Sequence, residues 1–102
     1  LIISKDKNMN VINKDNGKNG VFMAVEDGVQ LGEMSYVWGG DNKIIIDHTN
    51  VAPQYKGQGI GKCMFNEAVS FARNKQIKII PVCPFVVALF KRVPEAKDVL
   101  EA

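Results

Sequence analysis

Cysteine and histidine are scarce in this chain: its 102 residues include two cysteines, Cys63 and Cys83, and one histidine, His48. Two cysteines cannot build the disulfide framework of a small secreted domain. One histidine cannot join them in a familiar zinc-binding spacing, so no metal site is expected. We therefore expect free thiols in a reducing compartment, which leaves each thiol open to a chemical role.

Long apolar runs and blocks of like charge are also lacking. No apolar run approaches the ~20 residues of a membrane span and no signal-peptide pattern is found, so we expect a cytoplasmic protein without a membrane partner. The net charge of +2 is mild and the lysines are scattered, which argues against nucleic acid as a partner. The composition and length predict a single domain over residues 1–102, with residues 1–8 flexible.

The first half of the chain predicts an antiparallel meander of strands. A short first strand at Val11-Ile12 is followed by the segment VFMAVE, the two-residue turn Asp27-Gly28 and a partner strand, VQLGEMSYVW. The β-branched segment KIIIDHTNV, residues 43–51, predicts a central strand.

The second half predicts helix, strand and helix. From residue 60 to residue 75 the apolar pattern has a helical period, and its main stripe is Ile60, Met64, Ala68 and Phe71. Residues 77–84 predict a short buried strand ended by prolines, and residues 84–92 predict a helix with proline at its first position. A short helix or tail over residues 94–102 completes the order ββββ-α-β-α, which is an α+β fold.

Three glycines at alternate positions, within residues 57–61, separate the fourth strand from the first helix. Such a loop lets backbone N–H groups approach a phosphate at a helix N-terminus. The dinucleotide-binding pattern G-x-G-x-x-G fails because Lys62 stands at its third glycine. The P-loop pattern fails because Lys56 replaces its first glycine and Cys63 replaces the Ser or Thr that binds magnesium.

A third phosphate-loop pattern, Q/R-x-x-G-x-G/A, fits QYKGQG (residues 54–59) at every position. In its strand-loop-helix context, this segment resembles the acetyl-CoA pyrophosphate loop of the GNAT superfamily of N-acetyltransferases. From about Ile44 to the C-terminus, the chain resembles a short, YjdJ-type branch of that superfamily. The branch pairs an H-T-x-V strand, here residues 48–51, with a P-x-C-P/S-[FY] segment, here residues 81–85.

The resemblance implies a GNAT-like minimal fold, with the central strands splayed to form the cleft for acetyl-CoA or CoA. It implies that one strand pairs its backbone with pantetheine and that the glycine loop and its lysines hold the pyrophosphate. The implied cofactor-binding residues are Thr49, Asn50, Val51, Lys56, Gly57, Gln58, Gly59, Ile60, Gly61 and Lys62.

Cys83 is the leading candidate for a catalytic residue. It directly precedes a predicted helix, whose N-terminal N–H groups and dipole would favour a nucleophilic thiolate. The resemblance points to the same residue, since a cysteine at this position has been proposed as catalytic in the branch. The alternative interpretation is a small buried apolar residue, which is common for cysteine.

His48 is the candidate base, either for Cys83 or for an amine acceptor, because an imidazole titrates near neutrality. Strict alternation along the strand places His48 on the face of Ile44 and Ile46, and Asp47 on the other face. Whether His48 reaches Cys83 stays open at this point, and a simple packing role for His48 is the alternative.

The leading hypothesis is a small acetyl-CoA-dependent N-acetyltransferase that acts on an unidentified amine of a protein or small molecule, directly or through Cys83. The alternative is a non-catalytic CoA-binding sensor or interaction module. Many larger relatives use a tyrosine on the last helix to protonate the departing CoA thiolate, and the segment FVVALFKR has none, which favours the Cys-linked route over direct attack by the amine. We expect a monomer or a weak homodimer.

Overall fold

The computed structural model describes residues 9–101, which form one mixed five-stranded sheet packed against two α-helices. The expected flexible stretch, residues 1–8, lies outside the described residues. The elements are β1 (Met9–Asp15), β2 (Asn19–Glu26), β3 (Val29–Trp38), β4 (Lys43–Val51), α1 (Ile60–Lys75), β5 (Lys78–Pro81) and α2 (Pro84–Arg92), with 3-10 helices at Pro53–Tyr55 and Pro94–Val99.

The sheet has its strands in chain order, with the first four antiparallel and β5 parallel to β4. The predicted order and the α+β class are therefore confirmed. Asp27 and Gly28 both have positive φ angles, 51° and 80°, as a two-residue hairpin turn requires. None of the helices within residues 9–101 is long and apolar enough to cross a lipid bilayer.

Two strand boundaries differ from the predictions. β1 is longer than Val11-Ile12, because it pairs along its whole length with β2 even though its residues are mostly polar. β5 is shorter than residues 77–84 and ends at Pro81. The cause is local: the N–H groups of Val82 and Cys83 both donate to the carbonyl oxygen of Ile46, at 3.0 Å each, so the chain leaves the ladder there.

The core lies between the helices and one face of the sheet. The predicted stripe of α1 is buried at Ile60, Met64 and Ala68, while Phe71 is half-buried in a cluster of aromatic rings. The sheet residues buried against the helices include Phe22, Ala24, Met34, Tyr36, Ile44, Ile46 and Ile79.

A β-bulge in β4 changes which side chains face this core. Tyr36 pairs with Ile46 and Ser35 pairs with His48, so Asp47 is an extra residue on β4. Because the inserted residue shifts the alternation, Thr49 returns to the helix-facing side as the partner of Met34. The prediction that His48 shares a face with Ile44 and Ile46 is therefore wrong.

At the far end of the sheet, Asp15 organises the polar side of the aromatic cluster. It accepts hydrogen bonds from the Tyr36 hydroxyl at 2.5 Å, the Trp38 indole at 2.9 Å and the Gly17 N–H at 2.7 Å. Burial raises the pKa of Asp15, but these hydrogen bonds and the charge of Lys75 outweigh burial and lower it below its ordinary value.

Replacing Asp15 with Asn should cost about 1 kcal/mol of unfolding free energy at pH 7, because two aromatic donors lose a charged acceptor on an exposed residue. The lowered pKa of Asp15 means that its contribution is present above about pH 4 and is lost as the pH falls through the lowered value. Urea unfolding at pH 7 and pH 3 should thus show a smaller pH dependence for Asp15→Asn than for the wild type. Asp41→Asn, in the exposed turn before β4, is the matched control; equal pH dependence in both variants would contradict the role of Asp15.

Candidate functional site

The loop between β4 and α1 is shaped by proline and glycine. Pro53 begins a 3-10 helix that ends at Tyr55. Gly57 and Gly59 then adopt φ angles of 81° and 79°, in the left-handed region that side chains with a Cβ atom disfavour. The two positive φ angles fold the loop back onto the start of α1.

The N-terminus of α1 has no side-chain cap. Gly59 is the N-cap residue, and its carbonyl oxygen accepts the first helical hydrogen bond from the Cys63 N–H at 3.1 Å. The N–H groups of residues 60–62 precede that bond and have no partner within the helix. Together with the helix dipole, they form a group of donors suited to an anion.

A cleft of about 540 Å³ lies at this helix terminus, between the end of β4, the glycine loop and α2. Its lining carries three cationic side chains, Lys56, Lys62 and Arg92, and no carboxylate side chain among the described residues. The residues lining the cleft are Thr49, Asn50, Val51, Tyr55, Lys56, Gly57, Gly59, Ile60, Gly61, Lys62, Phe85, Leu89 and Arg92. Nine of the ten predicted cofactor-binding residues are among them, and the tenth, Gln58, is an exposed residue of the loop.

Tyr55 and three residues of α2 also line the cleft, although they are not among the ten predicted binding residues. Phe85, Leu89 and Arg92 follow one another at i, i+4 and i+7, so they form one stripe of α2 that faces the cleft. That spacing was visible in the sequence, but it indicated only a helix, because nothing local says which neighbour a helical stripe faces.

Gly61 is fixed by a close contact between the two helices. A Cβ atom at this position would overlap the ring of Phe85. Phe85 is 41% exposed, so its ring lies as a partly open wall over the first turn of α1. The absence of a side chain at Gly61 therefore lets α1 and α2 approach each other at the cleft.

Cys83 lies just behind the cleft wall. It is the N-cap residue of α2 and is 6% exposed. Its thiol donates a hydrogen bond to the Thr49 hydroxyl oxygen, with an Sγ–Oγ1 distance of 3.4 Å. Thr49 lines the cleft and Cys83 does not.

The N-terminus of α2 makes no capping hydrogen bond to the Cys83 side chain, although such support was expected from the sequence. The N–H groups of Val86 and Val87 donate to the backbone carbonyl of Cys83, at 3.1 and 3.0 Å. Among the described residues, the side chain that hydrogen-bonds the sulfur is Thr49.

The structure does not bring His48 to Cys83. His48 is exposed and pairs with Ser35 on the face of the sheet opposite to Thr49. Its neighbour Asp47 is also exposed and accepts a hydrogen bond from the Ser35 hydroxyl at 3.1 Å. The bulge thus separates the only histidine from the thiol.

Comparison with known proteins agrees with this geometry. A sequence model of the family described as GCN5-related N-acetyl-transferase matches residues 21–99, a span that includes the glycine loop and Cys83. The predicted resemblance is confirmed by this match. No curated protein matches the chain at a significant level.

Several solved structures share the fold. A GCN5-like protein from Staphylococcus aureus, determined by NMR, is 29% identical, with a TM-score of 0.67 over 91% of this chain and 90% of its own. A GNAT family acetyltransferase from Elizabethkingia anophelis, solved with acetyl-CoA bound, is 16% identical, with a TM-score of 0.61 over 71% of this chain and 63% of its own. A ribosomal-protein-alanine N-acetyltransferase from Brucella melitensis is 19% identical, with a TM-score of 0.62 over 85% of this chain and 64% of its own.

Replacing Gly61 with Ala should destabilise the wild type by about 1 to 3 kcal/mol, because the new methyl group displaces the ring of Phe85. In a Phe85→Ala background the same change should be neutral or stabilising by up to about 1 kcal/mol, since alanine favours a helix more than glycine does. Urea unfolding of the four proteins measures this coupling. Equal effects of Gly61→Ala in both backgrounds would show that the ring does not require the glycine.

Proposed function

Because the chain belongs to the family of GCN5-related N-acetyltransferases, we propose that it binds acetyl-CoA in the cleft between β4 and α2 and transfers the acetyl group to an amine. The observation that carries this proposal is the coincidence of three features in one cleft. These are the free edge of β4, the uncapped N-terminus of α1 and a lining with three cationic side chains. Each feature suits a different part of the CoA molecule.

The edge of β4 is the proposed site for pantetheine. Pairing between β4 and β5 ends at Ile46 and Pro81, whereas β4 continues to Val51. No strand of residues 9–101 pairs with β4 on that side beyond Ile46. The backbone of residues 49–51 can therefore exchange hydrogen bonds with the two amide groups of pantetheine, as a strand would with a neighbour. This gap supports the splaying of the central strands that the family resemblance implies.

The glycine loop and the start of α1 are the proposed site for the pyrophosphate. The N–H groups of residues 60–62 supply directional donors, and Gly57 and Gly59 keep the loop free of side chains that would block a close approach. Lys56 and Lys62 are exposed and add charge that salt can screen. Most of the recognition therefore rests on the backbone.

Cys83 is the proposed acyl acceptor within the protein. Its thiol gives up its proton, and the sulfur attacks the thioester carbonyl carbon that is delivered to the Thr49 end of the cleft. The bond to the CoA sulfur breaks, CoA leaves as a thiol by taking up that proton, and S-acetyl-Cys83 remains. The amine nitrogen of the acceptor then attacks the new thioester, the bond between the acyl carbon and the Cys83 sulfur breaks, and the acetylated amine is released while a proton from its nitrogen restores the Cys83 thiol.

A role for His48 as a base stays a prediction. Its exposed imidazole lies on the opposite face of β4 from Thr49, which argues against Cys83 as its partner and leaves the acceptor amine as the group that it would deprotonate. The alternative function, a CoA-binding module without transferase activity, is favoured by a single observation. Cys83 is 6% exposed and does not line the cleft, whereas its hydrogen-bond partner Thr49 does.

Replacing Lys62 with Gln should weaken CoA binding by about tenfold at low salt, because one charge-assisted contact to the pyrophosphate is lost. The affinity for acetyl-pantetheine, which has no pyrophosphate, should not change. Isothermal titration calorimetry of both ligands measures the difference, and Lys97→Gln, on the last 3-10 helix, is the matched control. If Lys62→Gln weakens the binding of both ligands equally, Lys62 does not contact the pyrophosphate, and this part of the proposal is contradicted.

Incubation with acetyl-CoA should add one acetyl group to the protein, because Cys83 is the proposed acceptor. Intact-mass spectrometry should detect this adduct in Cys63→Ser and not in Cys83→Ser, two variants that each remove one thiol. Tight binding of acetyl-CoA without an adduct, and without release of free CoA when amines are supplied, would support the binding module and contradict the transferase.

A further inference from the structure

The Thr49 hydroxyl is the one side-chain group within residues 9–101 that hydrogen-bonds the Cys83 thiol. We propose that Thr49 is the positioning residue of Cys83: it accepts a hydrogen bond from the S–H group in the resting protein and donates its own O–H to the sulfur when the thiolate forms. The proposal deepens the proposed function, on which it rests for its role in acyl transfer.

The buried sulfur of Cys83 needs a hydrogen-bond donor when it is charged. A thiolate that is 6% exposed has lost most of its water and needs hydrogen-bond donors in the protein. The N–H groups of Val86 and Val87 are used by the carbonyl oxygen of Cys83, and no amide of the first turn of α2 makes a capping hydrogen bond to its side chain. A hydroxyl is both donor and acceptor, so by rotating about its C–O bond Thr49 can serve the thiol and then the thiolate.

The Thr49 hydroxyl also lies in the right place to act on Cys83. Thr49 is the only threonine of the chain, and the bulge at Asp47 turns its side chain toward the helices while it turns His48 away. Thr49 also lines the cleft, so its hydroxyl lies at the boundary between the buried thiol and the space proposed for the acyl group. Without the bulge, position 48 would face Cys83 and position 49 would face the opposite side.

The test uses two pairs of variants in a Cys63→Ser background, where Cys83 is the only thiol. Val has the shape of Thr, with a methyl group in place of the hydroxyl. Ala has nearly the size of Ser and lacks its hydroxyl. Alkylation of Cys83 by iodoacetamide near pH 8, followed by intact-mass spectrometry, reports the supply of reactive thiolate without any acetyl-CoA. Circular dichroism checks that each variant is folded.

We expect Thr49→Val and Thr49→Ala to react about tenfold more slowly than the parent, because the thiolate loses a donor to a charged group. Thr49→Ser should react at nearly the parental rate. If access alone controls the rate, the smaller Ala and Ser variants should both be faster than Thr, and this result would overturn the proposal. Unchanged rates in Val and Ala would overturn it as well.

The S–H stretching band in the Raman spectrum gives a second readout that needs no reaction. Loss of the acceptor in Thr49→Val and Thr49→Ala should move the band to higher frequency, and Thr49→Ser should restore it. A band that stays unchanged in all three variants would contradict the hydrogen bond itself. Neither measurement involves acetyl-CoA, so the two proposals can fail separately. If the reactivity of Cys83 depends on the Thr49 hydroxyl but no acetyl group is transferred, the positioning role stands and the transferase function is refuted.

Discussion

The carbonyl oxygen of Ile46 is the point on which the site depends. It accepts hydrogen bonds from the N–H groups of both Val82 and Cys83. These bonds end the pairing of β4 with β5 and direct the chain toward the start of α2. The same two bonds bring Cys83 beside β4, and no strand within residues 9–101 pairs with the rest of that edge of β4. One residue further on, the bulge at Asp47 sets which side chain faces the thiol. The cleft, the thiol and its hydroxyl partner thus follow from a few backbone interactions in the middle of the sheet.

Much of the fold could be predicted because its signals are local. Nearby glycines and prolines, together with a helical period, indicated the bounds of both α-helices. The same local signals indicated the Asp27-Gly28 turn and the binding loop. Lys62 and Cys63 exclude the two commonest phosphate-binding patterns, and the remaining pattern gives the loop its resemblance to an acetyl-CoA pyrophosphate loop. Nine of the ten binding residues that this resemblance implies line the cleft.

The remaining features depend on partners that are distant in the sequence. Nothing within residues 43–51 marks Asp47 as an extra residue, because the bulge is defined by its register against Ser35 and Tyr36. The end of β5 depends on a carbonyl of β4, and the requirement for glycine at position 61 depends on the Phe85 ring. The Cys83 side chain makes no capping hydrogen bond because its orientation depends on a distant partner, the Thr49 hydroxyl, which the local sequence does not reveal.

The proposed function requires acetyl-CoA to bind along the end of β4 and over the N-terminus of α1. Because the proposed contacts are mostly to the backbone, amide NMR spectra of isotope-labelled protein can follow them during titration with acetyl-CoA. Binding at this place should cause large shift changes for the amides of residues 49–51 and 56–62, and little change in β1 or in the Asp27-Gly28 turn. Saturable changes centred elsewhere, or no changes at millimolar acetyl-CoA, would contradict it.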